Sequence, residues 1–141
     1  MSRQARTRVA FADTNLFIAL LTGPSHSLHD EAVALFRRVA DGDLELVVTP
    51  ITVAELIYVS RPALGWSRTE AVAGLTDLLS AHGITLREPN AIATALQLYV
   101  RHGRLDFADA YLAAVALEAS TAVASFDRDF DLVNGLDRIA A

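Results

Sequence analysis

The sequence predicts an α/β domain whose open parallel sheet is covered by helices on both faces. Short apolar, β-branched runs alternate with longer segments of helical periodicity along the 141 residues, which is the typical order of elements in such sheets. The hydrophobic fraction of 52% provides enough apolar side chains for a packed core. The length fits one domain, and neither a repeat nor a low-complexity linker divides the chain.

Polar or glycine-containing breaks divide the first half of the chain into elements. Apolar runs predict strands at Arg8 to Ala12 and Leu44 to Val48. Helical spacing of apolar residues predicts helices at Leu16 to Leu21, Leu28 to Ala40 and Ile51 to Ser60. Gly23-Pro24 ends the first helix, Ser27 is a candidate N-cap for the second, and Arg61 to Trp66 is predicted to be a loop.

The second half continues the same alternation. Ser67 is a candidate N-cap for the first helix of this half. The predicted helices are Arg68 to Ala81, one that follows Glu88-Pro89-Asn90 and ends near His102-Gly103, and one from Asp106 or Phe107 to about Ser120. The predicted strands are Ile84 to Leu86 and Thr121 to Ala124, before a last short segment that ends with Arg138-Ile139.

The absence of cysteine and lysine excludes several kinds of site. All 12 basic residues are arginines, and the cysteine count is zero. The chain therefore has no disulfide, thiolate nucleophile, zinc–thiolate site, Walker-type phosphate loop or Schiff-base lysine. A net charge of −5 lacks the strong positive field of proteins that coat nucleic acid. A nucleic-acid enzyme remains open if the acids surround a metal ion and arginines lie beside them.

No segment is expected to cross a membrane, because a span needs roughly 20 apolar residues and the apolar runs are shorter. Asp13 and Asn15 interrupt the apolar stretch that follows the first arginines, which is unlike a signal peptide. We therefore expect a cytoplasmic location.

Four acids lie in apolar sequence, where a buried, unpaired carboxylate would be costly. Asp13 and Asp127 lie at the ends of predicted strands, whereas Glu55 and Asp109 lie on predicted helices. Since sites of open parallel sheets form at the carboxyl ends of strands, we expect these carboxylates to share one crevice and to raise each other's pKa. Mg²⁺ or Mn²⁺ would relieve that repulsion, because both prefer oxygen ligands, and would activate a water for attack on a phosphodiester.

Each acid also has a structural interpretation, which the sequence leaves open. Asp13 could cap the first helix, and Glu55 could be a solvated helix residue. Asp106 or Asp109 could be an acid that the helix dipole favours. The acids that begin with Asp127 could form a capped turn.

Taken together, the acidic motifs resemble those of the PIN domain family. The matching segments are FADTN (Phe11 to Asn15), TVAEL (Thr52 to Leu56), LDFADAYLAA (Leu105 to Ala114) and SFDRDFD (Ser125 to Asp131). Their spacing, over nearly the whole chain, is similar to that of the VapC toxins of bacterial type II toxin–antitoxin pairs. The resemblance implies a PIN-like three-layer α/β/α domain with a short, mostly parallel central sheet. It would occupy residues 1–141 as a single domain, with residues 1–7 as a loose N-terminal tail.

The resemblance implies an endoribonuclease that depends on Mg²⁺ or Mn²⁺. The residues that match the family's catalytic and metal-binding quartet are Asp13, Glu55, Asp109 and Asp127. Asp129 would be an auxiliary metal ligand. Thr14 and Asn15 would orient the first carboxylate or a metal-bound water, and Asp106, one helical turn before Asp109, would have a supporting role.

The resemblance also implies three partners. They are an RNA substrate, a second copy of the chain in a homodimer, and a small cognate antitoxin whose C-terminal segment covers the acidic site. Such segments often deliver an arginine, and a guanidinium fork suits a crowded carboxylate pocket. The chain itself has no DNA-reading motif, so we expect no direct DNA binding.

The segment from Arg61 to Arg68 (RPALGWSR) holds the only tryptophan of the chain. Trp66 could pack under a surface loop, as aromatic residues commonly do. Alternatively, Trp66 could stack on an RNA base while Arg61 and Arg68 bind phosphates. The sequence leaves both interpretations open.

Two other functions are weighed against the nuclease. One is a phosphohydrolase with an aspartate nucleophile at Asp13. Its dehalogenase-like type would have a second Asp two residues later, where this chain has Asn15. The other is a PIN-like binding module that has lost catalysis, although the presence of all four acids gives no reason to prefer it.

Overall fold

The computed structural model describes residues 6–140. They form two compact units that divide after Arg87, and each unit is described by itself. Most of the predicted tail, residues 1–5, lies outside the described residues. Thr7, at the end of that predicted tail, donates a hydrogen bond from its hydroxyl group to the carbonyl of Gly42 at 2.7 Å. A single domain over residues 1–141 stays a prediction.

The first unit contains a parallel sheet with helices between its strands. Its elements are β1 (Arg8–Phe11), α1 (Thr14–Thr22), α2 (His29–Ala40), β2 (Leu44–Val48), α3 (Pro50–Leu64), α4 (Arg68–Leu79) and β3 (Ile84–Leu86). The strand order is β1-β2-β3. Leu46 pairs with Ala10 on one side and with Ile84 on the other, and both pairings are parallel. The predicted α/β class with a short parallel sheet is confirmed.

The core of the first unit lies between this sheet and its helices. Leu46 and Val48 of β2 are buried, as are Phe17 of α1 and Leu56 of α3. The Phe17 ring packs against the Phe36 ring of α2 with centroids 5.6 Å apart. Burial of large side chains of this kind stabilises the fold by about 1.5–3 kcal/mol each.

The second unit pairs two helices and adds a small parallel sheet. Its elements are α5 (Pro89–Arg101), α6 (Phe107–Glu118), β4 (Val123–Ala124), a short 3₁₀ helix (Arg128–Leu132) and β5 (Arg138–Ile139). The strands β4 and β5 pair in parallel. Tyr99 of α5 meets Phe107 of α6 edge to face at 6.2 Å. Small buried residues of α6, Ala110 and Ala113 among them, give α5 room to approach.

Two local predictions were wrong. The predicted loop at Arg61 to Trp66 is largely helical, because α3 continues through Pro62 and ends at Gly65, whose φ of 66° gives a left-handed cap. Ser27 does not cap α2, which follows Leu28 without a side-chain cap. The 3₁₀ helix after Asp127 was not predicted. The Asp127 side chain caps its first turn, and the same sequence motif is equally typical of an ordinary turn.

The start of α4 was predicted well. Ser67 and Glu70 form a capping box, in which each side chain accepts from the other residue's backbone N–H. Trp66, just before the cap, lies over Gly74 of α4, where a Cβ would come within 2.7 Å of the ring. The bare glycine therefore lets the indole pack against the helix.

No helix in the described part of the chain is long and apolar enough to span a membrane.

Gly74→Ala is expected to lower the free energy of unfolding by about 1 kcal/mol, because displacing the Trp66 ring costs about 1–3 kcal/mol and the gain in helix propensity is only about 1 kcal/mol. Denaturant unfolding measures this, and the fluorescence of the only tryptophan reports whether the ring has moved. Gly103→Ala is the control, since a Cβ there meets nothing within 4 Å. Equal stability of Gly74→Ala and the wild type would contradict the packing described.

Candidate active site

The first candidate acid, Asp13, lies between β1 and α1. It occupies the N-cap position of α1, but its side chain makes no capping hydrogen bond. The capping role that the sequence left open for this carboxylate is therefore not observed. Asn15, in the first turn of the same helix, is exposed.

A hydrogen bond from Thr14 fixes the second acid. The Thr14 side chain is buried, with 5% of its surface exposed, and its hydroxyl donates to Glu55 Oε2 at 2.6 Å. The two residues are brought together because α1 and α3 begin at the same edge of the sheet, where β1 and β2 end side by side. Thr14 thus orients Glu55, and a role of Thr14 at the first carboxylate or a metal-bound water stays a prediction.

Asp106 and Asp109 meet at the start of α6. Asp106 is the N-cap, and its Oδ1 accepts from the backbone N–H of Asp109 at 2.8 Å. Asp106 therefore caps the helix that carries Asp109. Its supporting role at a metal site stays a prediction.

Asp109 lies among like charges. Partial burial raises the pKa of its carboxyl group first, and the neighbouring carboxylates of Asp106, Asp127 and Asp129 raise it further. Within the second unit, the carboxylates of Asp106, Asp127 and Asp129 thus lie near enough to Asp109 to affect its charge. No cation is among the causes of this pKa shift. A positive charge bound beside Asp109 would therefore relieve the repulsion.

Asp127 follows β4 in a turn with two side-chain hydrogen bonds. The backbone N–H of Asp127 donates to Ser125 Oγ at 3.0 Å, and Asp127 Oδ1 accepts from the backbone N–H of Asp129 at 2.9 Å. Asp127 therefore caps the 3₁₀ helix, and no capping bond is made at Oδ2. Ser125 was missed in the sequence analysis, although a serine two residues before an aspartate is a recognisable turn signal.

Arginines neutralise the acids on one side of this turn. Arg138 donates two hydrogen bonds to the Asp131 carboxylate, of 2.9 and 3.1 Å. This contact lowers the pKa of the Asp131 carboxyl group. Arg104 lies 3.7 Å from Asp129 in a more exposed contact. Asp131 therefore has a matched counter-charge, whereas Asp109 faces carboxylates.

The predicted RNA-binding segment is partly used within the fold. Trp66 packs over Gly74, as the structural interpretation of this residue expected. Arg61 donates from Nε to the Trp66 carbonyl at 3.2 Å. Arg68 is the first residue of α4. The RNA-binding role of this segment stays a prediction.

The chemistry of the donor set fits a hard divalent cation. Asp13, Glu55, Asp109 and Asp127 offer only oxygen ligands, which Mg²⁺ and Mn²⁺ prefer. Burial and the nearby carboxylates raise the pKa of Asp109, and a bound cation would offset the repulsion from those carboxylates. Among residues 6–140, however, no group of three or more His, Asp or Glu side chains is already arranged to hold a metal ion.

Comparisons with known proteins identify one family. A family model described as PIN domain matches residues 10–136, a range that includes all four predicted metal-binding acids. Among solved structures, the crystal structure of VapBC2 from Rickettsia felis bound to a DNA fragment from their promoter is similar at a TM-score of 0.39. It shares 14% sequence identity, and the match covers 94% of this chain and 98% of that chain. No curated protein matches the sequence.

Asp109→Asn is expected to raise the thermal midpoint of the metal-free protein near neutral pH. The folded-state pKa of Asp109 is raised, so the folded chain holds this proton more tightly than the unfolded chain. Stability therefore falls as pH rises through the interval between the two pKa values. Removing the charge avoids that loss, and the difference should disappear at strongly acidic pH. Thermal unfolding in EDTA at both pH values measures it.

Asp131→Asn is the control, because its expected effect on the thermal midpoint has the opposite sign. Its folded-state pKa is lowered, so its ionisation stabilises the fold above the unfolded pKa, and this contribution is lost as pH falls through the folded pKa. The variant should therefore melt below the wild type near neutral pH. An Asp109→Asn protein that melts as low as Asp131→Asn would contradict the electrostatic account.

Proposed function

Since this chain belongs to the PIN domain family, we propose that it is a metal-dependent endoribonuclease and the toxin of a toxin–antitoxin pair. The observation that carries the proposal is that the family match includes all four acids. Their local structure supports it, because Asp13 is not used as a cap and Glu55 is held in one orientation by a buried hydroxyl.

The reaction would be hydrolysis of an RNA phosphodiester bond. Asp13, Glu55, Asp109 and Asp127 would hold Mg²⁺ or Mn²⁺, with Asp129 as a further ligand. When bound, a cation of this kind supplies positive charge for the phosphate in the transition state and makes a water molecule more acidic. Asp109 must lose its proton to act as a ligand, and its raised pKa makes cation binding weaker at acidic pH.

Positioning residues would keep the carboxylates ready to bind. Thr14 holds Glu55 by the 2.6 Å hydrogen bond, and Asp106 caps the helix turn that carries Asp109. Ser125 fixes the backbone of Asp127. Side chains that are already ordered lose less conformational entropy when a ligand binds.

An antitoxin and a second copy of the chain are the proposed partners. Uncompensated carboxylates attract a guanidinium group, and the paired hydrogen bonds between Arg138 and Asp131 show such an arrangement within this chain. An antitoxin arginine placed against Asp109 would neutralise the same charge as the cation. Inhibition would then follow from direct competition for the acids.

The rival function is a PIN-domain binding module without catalysis. A binding module need not bind Mn²⁺ at these acids and would not cut RNA.

Asp13→Asn is expected to reduce cleavage by about 100-fold or more, the scale on which one charge-stabilising group acts at an active site. Purified, antitoxin-free protein is incubated with total cellular RNA in Mn²⁺ or in EDTA, and the fragments are mapped. Glu55→Gln, Asp109→Asn and Asp127→Asn should behave alike. The control is Asp77→Asn, an exposed acid on α4, which should cut as the wild type does.

Discrete fragments that need Mn²⁺ and disappear with Asp13→Asn would support the proposed nuclease. A fully active Asp13→Asn protein would exclude the carboxylate mechanism. The absence of cleavage by folded wild-type protein would favour the binding module.

A further inference from the structure

The Arg138 side chain joins the two ends of the segment that carries Asp127 and Asp129. At one end, its Nη1 donates a hydrogen bond to the Ser125 carbonyl at 3.2 Å. At the other end, its Nε and Nη2 donate to the two carboxylate oxygens of Asp131 at 2.9 and 3.1 Å. One guanidinium group therefore bridges the segment from Ser125 to Asp131, which we call the acidic turn.

Arg138 can bridge the acidic turn because the sheet places it beside the start of that turn. Strand β5 pairs in parallel with β4, and Arg138 lies opposite Val123. The backbone N–H of Ser125 also donates to the Ile139 carbonyl at 3.0 Å. Each of the two strands is only two residues long, so backbone pairing alone offers few contacts. The Arg138 side chain, which is 16% exposed, supplies the further contacts that hold the turn.

Hydrogen bonds inside the acidic turn connect its bridged ends to the candidate metal ligands. The N–H of Asp127 donates to Ser125 Oγ at 3.0 Å, and Asp127 Oδ1 accepts from the N–H of Asp129 at 2.9 Å. The direction of the Asp127 carboxylate thus depends on a backbone whose ends Arg138 holds. The hydrogen bonds to Asp131 raise the pKa of Arg138, and the charges of Asp131 and Asp127 raise it further, so Asp127 also lies within electrostatic range of the guanidinium.

A second arginine, Arg104, lies beside the same acids without this constraint. It is 3.7 Å from Asp129, and its side chain is 78% exposed. That distance is too long for a hydrogen bond, and exposed ion pairs of this kind contribute little to stability. The two arginines therefore bring the same charge to the acidic turn, but only Arg138 fixes its backbone.

We propose that Arg138 is a positioning residue for the cation site, because it holds the turn that directs the Asp127 carboxylate. The inference rests on the proposed function and deepens it, since it makes cation affinity depend on a basic residue outside the four acids. Hydrogen-bonded partners behind metal ligands strengthen binding by fixing the direction of those ligands. A ligand that is already ordered also loses less conformational entropy when the cation binds.

The charge of Arg138 has the opposite effect, which makes the proposal sharp. A guanidinium near a bound cation repels it, so removal of Arg138 would tighten cation binding if charge were its only contribution. Removal would weaken binding if the side chain acts by holding the acidic turn. The sign of the change in affinity therefore separates the two roles.

The test is calorimetric titration of the full, antitoxin-free chain with Mn²⁺ in the absence of RNA, well below the thermal midpoint of each variant. Arg138→Gln should weaken Mn²⁺ binding by about 10-fold, within the range found for loss of a residue behind a metal ligand. Arg138→Lys should also bind weakly, because lysine keeps the charge but lacks the planar fork that pairs with a carboxylate.

Arg104→Gln is the matched control. It removes the same charge from the neighbourhood of the same acids, but the two ends of the acidic turn stay bridged by Arg138. This variant should bind Mn²⁺ as tightly as the wild type or more tightly. Weakening of Mn²⁺ binding by Arg104→Gln as large as that by Arg138→Gln would contradict the positioning role, because the loose contact holds no backbone.

Amide hydrogen exchange in EDTA separates a local effect from a general loss of stability. The N–H groups of Asp127 and Asp129 donate the hydrogen bonds within the acidic turn, so their exchange reports whether the turn is held. Arg138→Lys should speed exchange at these two amides while the amides of α5, in the same unit, exchange as in the wild type. Unchanged exchange at the turn, or an equal increase throughout the unit, would overturn the inference.

Mn²⁺ affinity in both Arg138 variants equal to or higher than that of the wild type would also overturn the inference. The proposed nuclease would still stand in that case if the wild type binds Mn²⁺ and cuts RNA. A folded wild-type chain that binds no Mn²⁺ would remove the inference together with the proposed cation site.

Discussion

Parallel pairing of β1 with β2 is the constraint on which the first half of the candidate site depends. Because Phe11 pairs with Val47, the two strands end side by side and the helices that follow begin at one edge of the sheet. The buried Thr14 can therefore reach Glu55 across 41 residues of sequence. A slip of the register would move this pair of side chains apart. The geometry of the pair therefore depends on the register of β1 and β2.

Electrostatics organises the second unit in a similar way. Asp106 and Asp127 each use an oxygen to cap a helix, and these caps hold the turns that place charge around Asp109. Arg138 neutralises Asp131 and supports the Ser125 carbonyl, whereas Asp109 is left with a raised pKa. The unit thus combines the ion pairs Arg138–Asp131 and Arg104–Asp129 with a carboxyl group, Asp109, whose pKa is raised by burial and by neighbouring carboxylates. Perturbed pKa values are typical of functional sites.

Much of the fold could be predicted from hydrophobic patterning. The strands Leu44–Val48 and Ile84–Leu86 have the predicted bounds, because their apolar runs end at clear turn residues. The extension of α3 through Pro62 was not predictable, because proline usually ends a helix, whereas α3 continues past it and ends at the left-handed Gly65. Side-chain pairs such as Thr14 with Glu55 depend on strand register, which the pattern of a single sequence does not specify.

The central claim is that the carboxylates of Asp13, Glu55, Asp109 and Asp127 bind a divalent cation. Calorimetric titration of the antitoxin-free chain with Mn²⁺ tests this claim most directly. The account predicts saturable binding by the wild type and by the exposed control Asp77→Asn, and binding weakened by about 10-fold or more in Asp109→Asn, as expected when a metal ligand is lost. Equal binding by all three proteins, or no binding by the wild type, would contradict it.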